Sequence, residues 1–234
     1  MTMITHDLIN FLANLLDIEN RGDGTFYETP FNFNNHTCVT DGYIFFLFNA
    51  NLNYDEVDDK TNRAINHYLN TKDDIYYVFN AHSNHIHALV HEAESKPCTL
   101  IVTCDICDEY GEVEYNFTHE GKNYYNRTTC PLCQGEKKIN TGTPTGFRWF
   151  PKQTVKFLSN TYTIDNFYQV SEFLLKINYN GTIKIHAPAV SDKVASPLLI
   201  EINDTKIMMA KAIESIDDIV YSLTNPEISN VRKS

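Results

Sequence analysis

Four cysteines carry the plainest chemistry in this 234-residue chain: Cys104 with Cys107, and Cys130 with Cys133. Each pair has the Cys-x-x-Cys spacing, and 22 residues separate the pairs. One tight turn can aim two thiols, two residues apart, at a single ion. Four thiolates then satisfy a tetrahedral cation such as zinc. The second pair, CPLCQG, adds Pro131, which stiffens the turn, and Gly135, which tolerates positive φ after it. Two disulfides, a redox pair and unrelated buried thiols are the competing readings. A thioredoxin-like redox pair needs one Cys-x-x-Cys beside a βαβ pattern, which is absent. The expectation is one structural zinc on four protein sulfurs, with no open position for water and hence no catalytic metal. Cys38 and Cys98 lie in apolar stretches and read as buried small hydrophobes.

The other chemically suggestive run is AHSNHIHALVHEAE, whose histidines run from His82 to His91. His87 and His91 are four apart, as two helical metal ligands would be, but the His-Glu-x-x-His pattern is missing. Read as a strand, His85, His87, Leu89 and His91 share one face, and Ile86, Ala88 and Val90 the other. That pattern describes a half-exposed strand better than a second metal site. No nucleophile elbow, phosphate-binding loop or dinucleotide glycine motif is present, so the chain is expected not to be an enzyme.

A hairpin must bring the two cysteine pairs together. EVEYNFT and KNYYNRT flank HEG as two strands around a glycine-containing loop, with the cysteines at its base. CTLIVTC and DIYYVFN read as further strands, and TNRAINHYL as a short helix. On the N-terminal side, Ile4, Leu8, Phe11, Leu12, Leu15 and Leu16 recur at helical spacing, with Thr5 as a possible cap. Turn residues from Arg21 to Gly24 end that helix. The strands TFYETPFNF, HTCVT and YIFFLFN follow, divided by Asn34-Asn35 and Asp41-Gly42. The C-terminal side repeats this order. After a lead-in strand TVKFLSNTYTI, Asp165 can cap a helix carrying Phe167, Val170, Phe173, Leu174 and Ile177. The strands TIKIHAPAV, PLLIEI and TKIMMA come next, with Asn203-Asp204 as the last turn. Beyond Lys211, Ile213, Ile216, Ile219, Val220 and Leu223 predict a final helix, and NPEISNVRKS a loose polar terminus.

Composition bounds the function. With 42% hydrophobic and 12% aromatic residues the chain can bury a core. No apolar run reaches the roughly 18 residues of a membrane span. The start lacks the basic region and cleavage site of a signal peptide. A reducing, cytoplasmic setting is therefore expected, where clustered cysteines bind metal. The net charge of −11 argues against a surface coated for nucleic acid. Yet residues 122–156 hold seven basic residues against one acidic, a net of +6, which leaves −17 for the rest. Lys122, Arg127, Lys137, Lys138, Arg148 and Lys152 are the candidate phosphate contacts. The interleaved Tyr124, Tyr125, Trp149 and Phe150 could stack on bases or simply pack.

The C-terminal segments NFYQVSEFLLKI, GTIKIHAPAVSDKVASPLLIEI and DTKIMMAKA resemble, in order and spacing, the end of a bacterial DNA sliding clamp. CVTDGYIFFLF is similar to the clamp pattern VATDGHRLA, without its basic residue. The resemblance covers roughly residues 1–55 and 150–212. It implies an α+β, sliding-clamp-like domain of two helix-plus-strands repeats, formed by residues 1–59 and 150–212. Residues 60–149 would be an insertion with a zinc-ribbon hairpin at 98–140, and 213–234 a C-terminal helix and tail. The cysteine knuckles resemble those of chaperone-type zinc modules, which implies metal binding. By the clamp resemblance, the chain is a non-catalytic accessory protein of DNA replication or repair, a processivity-factor type able to form a homo-oligomer. Ile207, Met208 and Met209 would then receive a peptide from a polymerase or another replication protein, and core packing explains the same residue types equally well. The helices that would face DNA, 5–18 and 165–177, contain Lys176 as their one basic residue. The alternative is a zinc-ribbon module for nucleic acid or protein that uses the clamp-like domain as scaffold.

Overall fold

The computed structural model describes residues 4–17, 30–57, 65–66, 76–158, 160–188, 197–212, 219–222 and 228–232. The chain divides into two compact units. Unit 1 comprises Met1–Ser95 with Trp149–Ser234, and unit 2 comprises Lys96–Arg148. The fold is α+β, with three helices and a large antiparallel sheet among the described residues.

Unit 1 opens with α1 (His6–Asp17), where the Leu8 amide donates to Thr5 Oγ1 at 3.3 Å. Leu8, Ile9, Leu12, Leu15 and Leu16 form its buried stripe. Next come β1 (Phe31–Phe33), β2 (His36–Thr40) and β3 (Ile44–Phe48). Asn34 and Asn35 close the first hairpin with φ of +46° and +64°, as a two-residue type I′ turn requires. At the second turn, Asp41 Oδ1 accepts the amides of Tyr43 and Ile44 at 2.8 and 2.9 Å. β4 (Tyr76–His82) leads directly into α2 (Ser83–Glu92).

After unit 2 the chain forms β9 (Gln153–Phe157) and β10 (Asn160–Thr163), then α3 (Ile164–Lys176). β11 (Thr182–Pro188), β12 (Leu198–Ile202) and β13 (Thr205–Met209) follow, then β14 (Ile219–Ser222) and β15 (Ile228–Arg232). Eight strands make one sheet in the order β1-β2-β3-β13-β12-β11-β4-β15, with every pairing antiparallel. β10-β9-β14 make a second, three-stranded sheet.

Strand alternation sends one set of side chains to a common face. Register aligns Phe46, Ile207, Ile200, Ile185 and Phe79 in a row across five strands, all buried. Phe173 of α3 meets that row edge-on, with ring centroids 5.5 Å from Phe46 and 5.9 Å from Phe48. Phe157 meets Phe79 at 5.1 Å. A satellite cluster of Phe31, Phe33, Cys38, Leu47 and Ile65 includes Cys38, whose thiol burial pushes up to about 12. Cys38 is thus the inert core residue expected.

Four sequence expectations change. The histidine run is α2, with only His82 left in a strand. Ile86 and Leu89 are buried at helical spacing, His82 Nδ1 caps the Asn84 amide, and Ala88 is exposed. The cap of α3 is Thr163, while the Asp165 carboxylate instead accepts the Phe150 amide at 2.8 Å. Residues 219–222 are a strand parallel to β9, and 228–232 pair with β4, where a final helix and a loose terminus were expected. β4 and α2 belong to unit 1, so the separate unit is shorter than residues 60–149. The turn at 21–24, residues 25–29 of the first expected strand, most of the helix expected at 61–69, and residues 213–218 and Leu223 of the expected final helix lie outside the described residues. Among the described residues, no helix is long and apolar enough to cross a membrane.

Phe173→Ala removes the ring that seals the sheet under α3. It is expected to destabilise unit 1 by about 3–5 kcal/mol, read as a lower denaturation midpoint with unchanged metal content.

Candidate metal centre

Unit 2 is built from two ribbons. β5 (Lys96–Thr103) pairs with β8 (Lys138–Trp149), and β6 (Glu112–His119) pairs with β7 (Lys122–Thr129). Glu120 and Gly121 close the β6–β7 hairpin with φ of +49° and +73°, again a type I′ pair. Almost every side chain of these strands is exposed. The buried cluster of the unit is Cys104, Cys107, Cys130 and Cys133, flanked by Val113 and Ile139.

The four cysteines sit in two knuckles related by a 26-residue offset. The backbone repeats with that offset. Asp108, Glu109 and Gly111 have φ of +45°, +69° and +77°, and their counterparts Gln134, Gly135 and Lys137 have +53°, +90° and +65°. Each knuckle ties itself to the other: the Cys104 amide donates to the Lys137 carbonyl, and the Cys130 amide to the Gly111 carbonyl, both at 2.9 Å. Within each knuckle the Tyr110 and Glu136 amides return to the Cys107 and Cys133 carbonyls, also at 2.9 Å. The pairing is a local pseudo-twofold that faces two sulfur pairs toward each other.

All four Sγ atoms lie within 4.8 Å of one another. Cys104 and Cys130 are 3.7 Å apart at sulfur, and Cys107 and Cys133 3.6 Å. A disulfide needs about 2.0 Å. A tetrahedral ion with metal–sulfur bonds of about 2.3 Å spaces its sulfurs about 3.8 Å apart. The observed spacing fits the ion, and all six cysteines are free thiols.

The protonation chemistry fits it too. Burial works against ionising Cys133, but the amides of Gly135 and Lys137 and the neighbouring thiols Cys107 and Cys130 outweigh burial and bring it down to about 7. Burial pushes Cys107 up to about 12, its thiol neighbours add to that, and the Gly111 amide alone opposes. One negative sulfur thus makes the next harder to form. Four buried thiolates can coexist only around a cation. Among the described residues this is the one group of three or more metal-ligating side chains, so the α2 histidines join no such cluster. His87 Nδ1 instead lies 2.7 Å from Ser171 Oγ, and burial lowers its pKa.

The other candidate residues fare differently. Lys122, Arg127, Lys137, Lys138 and Arg148 are exposed in unit 2, and Lys152 is exposed in unit 1. Strand pairing sets Glu114 opposite Arg127, whose guanidinium Nε donates to that carboxylate at 2.7 Å. Unit 2 as a whole holds seven acidic and six basic residues, so the part of the basic window up to Arg148 is neutralised within it. Ile207, Met208 and Met209 lie in the core. β13 is hydrogen-bonded on both edges, by β3 and β12, and the three side chains are at most 4% exposed. Phe150 is also core, against Tyr168. Tyr124 and Tyr125 are adjacent in β7 and so point to opposite faces. Sequence reading passed over Tyr115 and Phe117, which share a face with Tyr124; their i, i+2 spacing in β6 was the available signal.

No protein-family model matches this chain, and no curated protein matches its sequence.

Three outcomes are expected of this centre. Purified protein carries about one metal equivalent, and a strong chelator or Cys130→Ser abolishes amide protection in residues 96–148 while unit 1 keeps its own. Gly111→Ala puts a Cβ 2.8 Å from the Gly135 carbonyl oxygen at a φ of +77°, so metal affinity and unit 2 stability both drop. The backbone term alone costs about 1–2 kcal/mol. Metal binding displaces thiol protons, so affinity falls as pH drops through about 7, where Cys133 regains its proton, and rises above it. Metal titrations across pH check the sign.

Proposed function

We propose that this chain is a non-catalytic accessory protein of DNA replication or repair, in which a zinc-stapled unit 2 makes the working contact and unit 1 is a sliding-clamp-like scaffold. The observation that carries this reading is the four-sulfur cluster. It is the buried cluster of unit 2, and it holds an exposed hairpin with no other core. A closed sulfur shell stabilises structure and leaves no site for bound water, which supports a binding role.

The clamp-like character of unit 1 is supported by its element order. A helix followed by three antiparallel strands occurs twice, as α1-β1-β2-β3 and α3-β11-β12-β13. The last strands of the two runs, β3 and β13, pair antiparallel at the join. Encirclement of DNA is the weaker form of the reading. Among its described side chains α1 exposes His6, Asp7, Asn10 and Asn14, and α3 exposes only Leu175 and Lys176. Lys176 lies over the Phe11 ring at 4.8 Å. A surface that surrounds DNA needs several cations.

The test is solution molar mass with metal retained, followed by binding to labelled single-stranded, duplex and circular DNA. Monomer or dimer with metal-dependent DNA binding supports the module form. A discrete higher oligomer with retention on circular DNA replaces it with a ring. Metal-loaded protein that binds no DNA of any form removes the reading.

A further inference from the structure

The β6–β7 hairpin has two chemically different faces. Register and alternation put Val113, Tyr115, Phe117 and His119 on one face, beside Lys122, Tyr124, Asn126 and Thr128. Ring contacts establish the grouping. Tyr115 and Phe117 stack at 6.3 Å with planes 23° apart, and Phe117 and Tyr124 at 5.0 Å with planes 13° apart. Asn126 Nδ2 donates to the Tyr115 hydroxyl at 3.2 Å. The opposite face holds Glu112, Glu114, Arg127 and Tyr125, with Glu114 and Arg127 paired. Both strand carboxylates of the hairpin are therefore on the second face. The first carries the rings of Tyr115, Phe117 and Tyr124 with Lys122 and His119 and no strand carboxylate; the turn residue Glu120 reaches it, with its carboxylate 3.9 Å from His119 Nε2.

These rings are not buried by the fold. Tyr115, Phe117 and Tyr124 are 43%, 49% and 41% exposed. Cross-strand stacking contributes something to the hairpin, about 0.2–1 kcal/mol per pair. The hairpin is already tied at its base by the sulfur cluster and at its tip by a type I′ turn, so packing does not account for three large exposed rings on one side. A row of π-surfaces with a cation beside it, and the strand acids Glu112 and Glu114 on the other face, suit unpaired bases and their phosphates. Duplex DNA fits poorly, because its bases offer no free π-faces and its phosphates call for a broader cationic surface.

We propose that this face, Tyr115, Phe117 and Tyr124 with Lys122, is a stacking platform for single-stranded DNA. The inference rests on the module reading of unit 2 and deepens it by naming the surface and the ligand class. The bases stack along the aromatic row, Lys122 meets a phosphate, and the Asn126 amide and Tyr115 hydroxyl lie where polar groups of the bases would pass. Binding draws on stacking more than on charge, so its salt dependence is shallow. One phosphate contact gives a slope of about −0.7 in log K against log salt.

The experiment uses the full metal-loaded chain and a fluorescently labelled oligo-dT of about a dozen nucleotides, followed by anisotropy over a salt series. Phe117→Ala and Tyr124→Ala are each expected to weaken binding about 5- to 100-fold, with metal content retained. Tyr125→Ala, on the other face, changes it less than about twofold. Phe117→Leu keeps an apolar side chain in the hairpin and separates lost stacking from lost folding; it too should bind weakly. Bromouracil-substituted oligonucleotide is expected to crosslink to Tyr115, Phe117 or Tyr124. Wild-type affinity in metal-loaded Phe117→Ala and Phe117→Leu overturns the platform, as does equal weakening by Tyr125→Ala. Binding of duplex but not of single strands also overturns it while leaving the proposed function standing. Binding of no nucleic acid at all removes both, and points the aromatic face to a protein partner.

Discussion

Four sulfurs crowded within 4.8 Å of one another are the constraint on which unit 2 depends. A two-stranded ribbon in water is marginal by itself, because it buries too little to offset the entropy of ordering its backbone. Unit 2 has two such ribbons and no aliphatic core to hold them. Its order therefore comes from the knuckles. Three positive-φ residues per knuckle curl the backbone around each sulfur pair, and two cross-knuckle hydrogen bonds set the pairs face to face. The glycines fall at non-equivalent places, Gly111 in one knuckle and Gly135 in the other. Glu109 and Lys137 accordingly take left-handed conformations that disfavour side chains. A cation that gathers four thiolates is a strong enough interaction to hold that strain.

Unit 1 obeys a different rule. Its stability comes from a broad sheet with helices packed on it, where the apolar row from Phe46 to Phe79 is continuous across five strands. β3 and β13 join the two halves of the sheet. That join buries Ile207, Met208 and Met209, residues whose types equally suit an adaptable binding groove. The residue types at the join do not distinguish the two roles; the neighbour on each edge of the strand does.

Charge shows the same dependence on pairing. Along the chain, residues 122–156 form a basic block. In the hairpin, the acidic strand β6 lies directly against β7, and Glu114 takes up Arg127. Sorting by strand face then separates an aromatic side from the side that holds Glu112, Glu114 and Arg127. A linear charge count averages over both.

Much was nevertheless legible from residue order. Cys-x-x-Cys twice, with a hairpin pattern between, determined the sulfur cluster, because short-range turn chemistry aims each pair and only the hairpin closure is long-range. Asn34-Asn35 and Asp41-Gly42 determined their turns, and the α1 stripe its helix, for the same local reason. What required tertiary structure was every choice among equally good local options. The His82–His91 run alternates well enough for a strand, yet it is helical from Ser83 because Ile86 and Leu89 find a buried surface there. Ile219 to Ser222 has helical spacing with its neighbours, yet it pairs with β9 because that strand offers a free edge. The order β3-β13 and the two faces of the β6–β7 hairpin are likewise settled by contacts between distant segments, which periodicity within a segment cannot encode.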